Sequence, residues 1–154
     1  MSVDSPIRVQ TEAFDVAAII DAMGADNPAV GAIVTFMGVV RDLNNGAAVS
    51  TMTLEHYPGM TEKALEAIVA EARVRWDLID VAVVHRVGEL RPTDPIVFVA
   101  VASAHRGDAF QACEFIMDYL KTRAPFWKKE ENSQGGTWVA SRDSDTDAAR
   151  RWKG

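Results

Sequence analysis

The residues best suited to chemistry lie in one short stretch, Leu120–Glu131, which groups four cations and two aromatic side chains around Pro125. The chain carries a formal net charge of -6 at pH 7, so this run of positive charge stands against the average. Like charges held close together repel one another unless an anion lies among them, so the stretch suggests a site for an anionic ligand. The alternative is a solvated helix C-terminus, where the macrodipole favours lysine and arginine.

Pro125 determines how this stretch presents its two central lysines. Proline has no N–H to donate and disfavours helical geometry in the residue before it, so a preceding helix should end near Arg123. Lys121 is then predicted on the last helical turn, and Lys128 on the irregular segment beyond it. Because two ammonium groups can then reach one point from different backbone directions, Lys121 and Lys128 are the first candidates for binding or catalysis.

Two further cationic places fall at the ends of predicted elements. Arg41 closes the apolar run 31–41, and His105 and Arg106 precede a predicted helix whose first N–H groups favour an anion. Each place also has a plainer interpretation, namely a solvated strand end for Arg41 and an exposed cap loop for the other two.

The remaining reactive side chains point to structural roles. His85 lies in an apolar strand, where a hydrogen-bonded core histidine is favoured over a ligand. Cys113 falls on the apolar face of a predicted helix without an obvious base, which favours a buried thiol over a nucleophile. The sequence has no catalytic-triad motif, phosphate-binding glycine loop or metal-ligand spacing, so we expect neither a metal nor a cofactor.

The elements that must position these residues predict an α+β fold. Strands and helices do not alternate strictly, which favours a mixed, mostly antiparallel sheet with helices packed against it. The run 31–41 is apolar on both faces and should be central, and its short link to the next strand predicts a hairpin. The predicted strands are 7–11, 31–41, 49–57, 80–90, 96–102 and 137–140, and the predicted helices are 16–23, 60–76, one ending near Thr122, and 148–152.

Apolar spacing also predicts which faces of two helices are buried. The residues of each stripe recur every three or four positions, as the core face of a helix requires. The face of helix 60–76 is Ala64, Leu65, Ile68, Val69, Ala72 and Trp76, and that of the helix before Pro125 is Phe110, Cys113, Ile116 (or Met117) and Leu120.

Length and composition exclude several classes of protein. The 154 residues suit one domain, 1–154, whose tail from about 141 is partly extended or helical. No apolar run could span a bilayer, no signal peptide is evident, and the one cysteine suits a reducing compartment, so we expect a cytoplasmic protein without a membrane. The acidic balance argues against nucleic acid.

Five segments in a specific order resemble the large, catalytic subunit of molybdopterin synthase, from about Gly31 to Trp152. The most specific are the run from Glu55 to Met60 (EHYPGM) and the run from Lys121 to Lys128 (KTRAPFWK). The others are 31–41, 84–88 and 103–106.

This resemblance implies an enzyme of molybdenum cofactor biosynthesis with an α/β-hammerhead type of fold. Such a sulfurtransferase converts precursor Z, a cyclic pyranopterin monophosphate, to molybdopterin by inserting two sulfurs as a dithiolene. The sulfur arrives as a thiocarboxylate on the C-terminal Gly-Gly of a small ubiquitin-like subunit. The resemblance further implies that two large subunits form a homodimer at the centre of a heterotetramer.

The resemblance also implies roles for individual residues. Lys121 matches the central catalytic lysine of the family, and Lys128 matches its second active-site lysine. Arg142 matches an arginine that reaches the site of the neighbouring protomer. Where some relatives carry a lysine this chain has Val39, so a substrate contact there would use the backbone. The other implied substrate-binding residues are Val40, Arg41, His105, Arg106, Lys129 and Glu130, and the implied pocket-lining residues are Phe36 and Met117.

Two rival functions follow from the residues alone. A non-catalytic module would bind a phosphate ligand or a partner's tail through the same cations without any reaction. An RNA-binding domain would use Phe126 and Trp127 for stacking, but the net negative charge disfavours it.

Overall fold

The computed structural model describes residues 6–41, 43–44, 47–48, 51–132, 135–139 and 143–153. Ten strands and four helices fall within these residues, and they confirm the predicted α+β class. The strands are β1 (Ile7–Gln10), β2 (Ala32–Val39), β3 (Leu43–Asn44), β4 (Ala47–Ala48), β5 (Thr51–His56), β6 (Leu78–Arg86), β7 (Gly88–Leu90), β8 (Pro95–Ser103), β9 (Phe126–Asn132) and β10 (Gly135–Val139). The helices are α1 (Val16–Ala22), α2 (Met60–Arg75), α3 (Arg106–Arg123) and α4 (Asp143–Arg150).

The strands form two four-stranded sheets rather than the single sheet that was predicted. The first sheet has the order β1-β6-β8-β2 and the second has the order β10-β9-β5-β7, while β3 and β4 form a separate hairpin. Every pairing is antiparallel except that of β1 with β6. The chain passes from the first sheet to the second between β6 and β7, where Gly88 has a φ of 90° that other residues rarely adopt.

Helices cover both faces of the first sheet. On one face α2 and α3 bury a core that includes Leu65, Ile68 and Ile116 against Val99 and Val101 of β8. On the other face α1 packs over Phe98, Ala100 and Ala102 of the same strand. The internal position of β8 and the core stripe of α2 are therefore confirmed.

The predicted core face of α3 is partly wrong. Phe110 is 60% exposed, whereas Phe115 is fully buried. Phe115 lies edge-on to Trp76, with 5.3 Å between the ring centroids, and also packs against Tyr119 at 4.7 Å. These aromatic neighbours come from tertiary structure, so the spacing along α3 could not indicate which phenylalanine they would select.

The strand β2 is not central, and the hairpin predicted between it and β5 is wrong. It pairs with β8 on one side and lies at the edge of the first sheet, among the described residues. The strand β5 pairs instead with β7 and β9 in the second sheet, because β3 and β4 occupy the link as a hairpin of their own. The edge strand leaves Ile33, Phe36, Met37 and Val39 between 38% and 45% exposed.

Trp152 packs the segment after α4 against α3 and the C-terminal end of α2. Its ring lies 5.5 Å from the rings of both Trp76 and Phe115 and nearly perpendicular to each. Its Nε1 donates to Asp118 at 2.6 Å, and its carbonyl accepts from Arg75 at 2.6 Å. Packing and two hydrogen bonds therefore hold this tryptophan in place.

The substitution Trp152→Ala is expected to lower the free energy of unfolding by about 3 kcal/mol, because it empties an aromatic cluster. Thermal unfolding followed by circular dichroism should show a melting temperature about 10 °C lower. The neighbouring Arg151→Ala removes ion pairs of a half-exposed guanidinium with Asp118 and Glu114 and its contact with the Trp152 ring at 5.5 Å. Because it leaves the aromatic cluster filled, it should cost only about 1 kcal/mol. Equal shifts for the two variants would contradict this role of the Trp152 ring.

Candidate functional site

Lys121 and Lys128 come from different elements on either side of Pro125. Lys121 lies exposed on the last turn of α3, as predicted. Lys128 is half-buried and lies on the regular strand β9, so the prediction of an irregular segment is wrong. The register of β9 against β5 places Lys128 opposite the buried Leu54. This pairing with a fixed strand makes the backbone of Lys128 rigid rather than mobile.

The buried His85 lies near both lysines. It is 4% exposed, and its Nδ1 donates to the carbonyl of Arg86 at 2.8 Å, which confirms the predicted hydrogen-bonded core histidine. The pKa of His85 is lowered to about 3, chiefly by burial and in addition by the positive charges of Lys121 and Lys128. Both lysines therefore lie within electrostatic range of this imidazole, and Lys128 shares the face of β9 with Phe126, whose ring stacks on His85.

A second histidine at this place was missed from the sequence. His56 at the end of β5 donates from Nδ1 to the hydroxyl of Thr61 at 3.1 Å, since that hydroxyl itself donates to the carbonyl of Tyr57 at 2.8 Å. The His56 ring lies 6.3 Å from that of Phe126. The EHYPGM run was recognised as specific, but the sequence did not show that its histidine lies beside Phe126.

Arg41 lies at the same end of the first sheet as His85. It follows β2, whose last residue, Val39, is opposite Pro95. The buried Val40 donates to the carbonyl of Asp94 and accepts from the N–H of Thr93, at 2.9 and 2.8 Å. These bonds hold the exposed Arg41 beside the turn that leads into β8.

His105 and Arg106 lie at the opposite end of the molecule from the lysines. Both are exposed, at the start of α3, where the His105 side chain makes no capping bond. An α-helix rises about 1.5 Å per residue, so about 22 Å of helix axis separates Arg106 from Lys121. One copy of the chain therefore divides the predicted cations into two groups.

Gly31 explains the tight join between β2 and the start of α3. Its N–H donates to the carbonyl of Ser103 at 2.9 Å. A Cβ at this position would lie 2.1 Å from the carbonyl oxygen of Ala104, so a larger residue would push the His105 loop away.

The other predicted site residues are placed as follows. Phe36 is 41% exposed on β2, and Met117 is buried one turn before Lys121. The backbone of Lys129 and Glu130 belongs to β9, opposite Thr53 and Met52. Arg142 lies outside the described residues.

Neither a reactive thiol nor a metal centre is found in the described part of the chain. Burial raises the pKa of the Cys113 thiol to about 11, which keeps it protonated and confirms a structural role. In the described ranges, no three histidine, cysteine or acidic side chains could hold a metal ion. No helix among these residues is both long and apolar enough to cross a membrane.

The structure is that of an α+β protein in which two lysines lie near a buried histidine at one end of the first sheet. A family model described as "MoaE protein" matches residues 9–123. A "Molybdopterin synthase catalytic subunit" from Ralstonia nicotianae is 62% identical over 146 residues, which cover 95% of this chain and 83% of the relative.

Solved structures agree with this match. A "Molybdopterin biosynthesis MoaE protein" from Burkholderia ambifaria is 59% identical with a TM-score of 0.82, covering 95% of this chain and 96% of that one. A complex of subunits 1 and 2 of molybdopterin-converting factor from Helicobacter pylori has a TM-score of 0.74 at 18% identity, with 90% and 92% covered, and shows the fold alone.

The chain belongs to the MoaE protein family. The resemblance found in its sequence is confirmed, and with it the prediction of an enzyme of molybdenum cofactor biosynthesis.

Proposed function

We propose that this chain transfers sulfur from a small ubiquitin-like carrier subunit to precursor Z at a site centred on Lys121 and Lys128. The observation that carries the proposal is that two lysines from different elements, α3 and β9, both lie near the buried His85, whose ring stacks on Phe126 between them in the chain. The substrate is a cyclic phosphate, and its negative charge relieves the repulsion between two lysines held close together. The enzyme works in the cytoplasm, in keeping with a single, buried cysteine.

The two lysines have different surroundings and therefore different roles. The sulfur of the carrier's thiocarboxylate attacks an electrophilic carbon of the pterin, and the oxygen that leaves this carbon needs a cationic or proton-donating partner. Water then cleaves the bond between this sulfur and the carrier's carbonyl, so the carrier leaves as a carboxylate and the sulfur stays on the pterin. Lys121 is exposed at the helix end and, beside the incoming tail, serves the leaving oxygen as an acid, a base or a charge stabiliser. Lys128, half-buried on a paired strand, holds the pterin.

A second copy of the chain supplies the distant cations. Arg41 lies at the lysine end, but Arg106 and His105 lie about 22 Å away along α3, beyond the reach of a shared ligand. The apolar edge strand β2 provides a surface for pairing two copies, because its outer edge pairs with no other strand in the described ranges and its exposed Phe36 and Met37 favour burial. A homodimer therefore completes each site with His105 and Arg106 of the neighbouring protomer, and carries one small subunit at each end as a heterotetramer.

The remaining residues complete the proposed pocket around the pterin. Arg142 reaches across from the neighbouring protomer, and the small subunit's Gly-Gly tail enters beside Lys121 because glycine passes a narrow channel with little steric cost. The other proposed contacts are Val39, Val40, Lys129 and Glu130 for the substrate, and Phe36 and Met117 for the pocket walls.

A single-turnover assay tests the proposal. Purified chain is mixed with precursor Z and thiocarboxylated carrier, and molybdopterin is measured by the fluorescence of its oxidised product. Wild type is expected to form product, whereas Lys121→Ala should be at least about 100-fold slower with its fold intact, because the leaving oxygen loses its cation. Lys63→Ala, a change of an exposed lysine on α2, should match wild type.

Two results would contradict the proposal. Normal turnover by Lys121→Ala would remove this lysine from the reaction. Binding of precursor Z by wild type without any product, in the presence of active carrier, would favour the non-catalytic binding module.

A further inference from the structure

We infer that His85 is a positioning residue that sets the separation of Lys121 and Lys128 by stacking on Phe126. The inference rests on the proposed function of the two lysines. Neither histidine nor phenylalanine touches the reacting atoms in this role; they hold the segment on which the lysines depend.

The stack joins the two sheets at one point. His85 belongs to β6 in the first sheet, and Phe126 begins β9 in the second. Their ring centroids are 3.9 Å apart and their planes differ by 19°, so the rings lie face to face. The hydrogen bond from His85 to the Arg86 carbonyl prevents the imidazole from rotating out of this arrangement.

A second imidazole restrains the same phenylalanine. The His56 ring contacts Phe126 at 6.3 Å with a tilt of 37°. His56 is itself held by Thr61, which is fully buried and bonded to the backbone of Tyr57. Phe126 therefore packs against two rings whose orientations are both fixed by hydrogen bonds.

Phe126 lies between the two lysines along the chain. Lys121 belongs to a helix that packs on the first sheet, and Lys128 belongs to a strand of the second sheet. Ala124 and Pro125, which join the end of α3 to Phe126, form neither helix nor strand. The distance between the ammonium groups thus depends on how firmly the first residue of β9 is held against β6.

An imidazole meets three requirements at position 85 that no other side chain meets together. It is flat enough to stack, its Nδ1–H satisfies the buried Arg86 carbonyl, and it stays uncharged beside two lysines. Phenylalanine keeps the stack but loses the hydrogen bond. Asparagine places a donor near the position of Nδ1 but loses the stack. These two replacements separate the contributions of the ring and of the hydrogen bond.

The test measures kcat and KM for His85→Phe and His85→Asn with wild-type carrier, together with the affinity for precursor Z. We expect kcat of His85→Asn to fall at least about tenfold, because small displacements of catalytic groups are costly, with KM and affinity within about twofold. His85→Phe should stay within about threefold of wild type in kcat, since the stack remains.

Val84→Ala is the matched control. Val84 is 1% exposed and adjacent on β6, but its side chain points to the opposite face, so its loss destabilises the protein without touching Phe126. We expect wild-type kcat for this variant below its melting temperature.

The outcomes distinguish this inference from the function on which it rests. If wild type turns over and Lys121→Ala does not, a wild-type kcat for His85→Asn overturns the positioning role. A kcat loss of the same size in Val84→Ala also overturns it, because general destabilisation would then explain both variants. Turnover by Lys121→Ala contradicts instead the proposed function.

Discussion

Mixing two nearly inactive proteins, Lys121→Ala and Arg106→Ala, is expected to restore about a quarter of wild-type turnover. The reason is that α3 holds these residues about 22 Å apart in one copy, so the proposed shared site takes Lys121 from one protomer and Arg106 from its partner. Random exchange makes about half of the dimers mixed, and each mixed dimer has one site in which both residues are intact.

Co-expression with two different affinity tags allows the mixed dimers to be isolated, and these purified dimers should show about half of wild-type turnover in the same fluorescence assay, because one of their two sites is intact. The pair Lys121→Ala and Lys128→Ala is the matched control. Both lysines belong to the same half of a site, so every mixed dimer keeps one defect in each site and stays inactive. Recovery in the control pair, or none in the test pair, would disprove the shared site.

Acid is expected to destabilise the wild type by about 3 kcal/mol more than His85→Phe when the pH falls from 7 to 4.5. The pKa of His85 in the folded protein is lowered to about 3 by burial and by the charges of Lys121, Lys128 and His56, while an unfolded histidine titrates near 6.5. Between these two pKa values His85 is protonated in the unfolded chain but stays neutral in the folded protein. The contribution of His85 to stability is therefore complete above about pH 6.5 and is lost progressively toward pH 3.

Urea unfolding at pH 7 and pH 4.5 measures this difference. Carboxylates titrate equally in both proteins, so the difference between their pH responses isolates His85. Val84→Ala keeps the histidine and should respond to acid as wild type does. The same loss of stability in His85→Phe and wild type would show that His85 is protonated in the folded protein.

Much of the fold could be predicted because its signals are local. The capping aspartate of α1, Asp15, accepts a bond from the N–H of Ala18 as expected for a helix start. The periodicity of α2 and the apolar run of β8 likewise report burial directly. The errors arose where a partner outside the local sequence decides the outcome.

The apolar run 31–41 shows this difference best. Its composition predicts burial on both faces, but it does not say whether a strand of the same chain or a second copy provides the cover. Phe110 and Phe115 present the same problem on α3. Phe115 is the buried one because the rings of Trp76 and Trp152 pack against it.

The site was predictable in its parts rather than in its arrangement. The convergence of Lys121 and Lys128 followed from the proline between them, and the electrostatic effect of both on His85 supports it. The separation of Arg106 from Lys121 could have been read from the length of the predicted helix, because the rise per residue is constant. The contact of His85 with Phe126 joins two sheets, and no local pattern encodes such a contact.

The edge strand β2 makes the newly synthesised protein prone to aggregation before it assembles. The eight residues of β2 contain no charge and no proline. Charged residues and prolines are the features that usually prevent exposed edge strands from pairing with other chains. A newly made copy thus carries an aggregation hazard, which disappears only when another chain covers the strand. Overproduction at low temperature, or together with a binding partner, should therefore yield more recoverable protein than rapid synthesis of the chain alone.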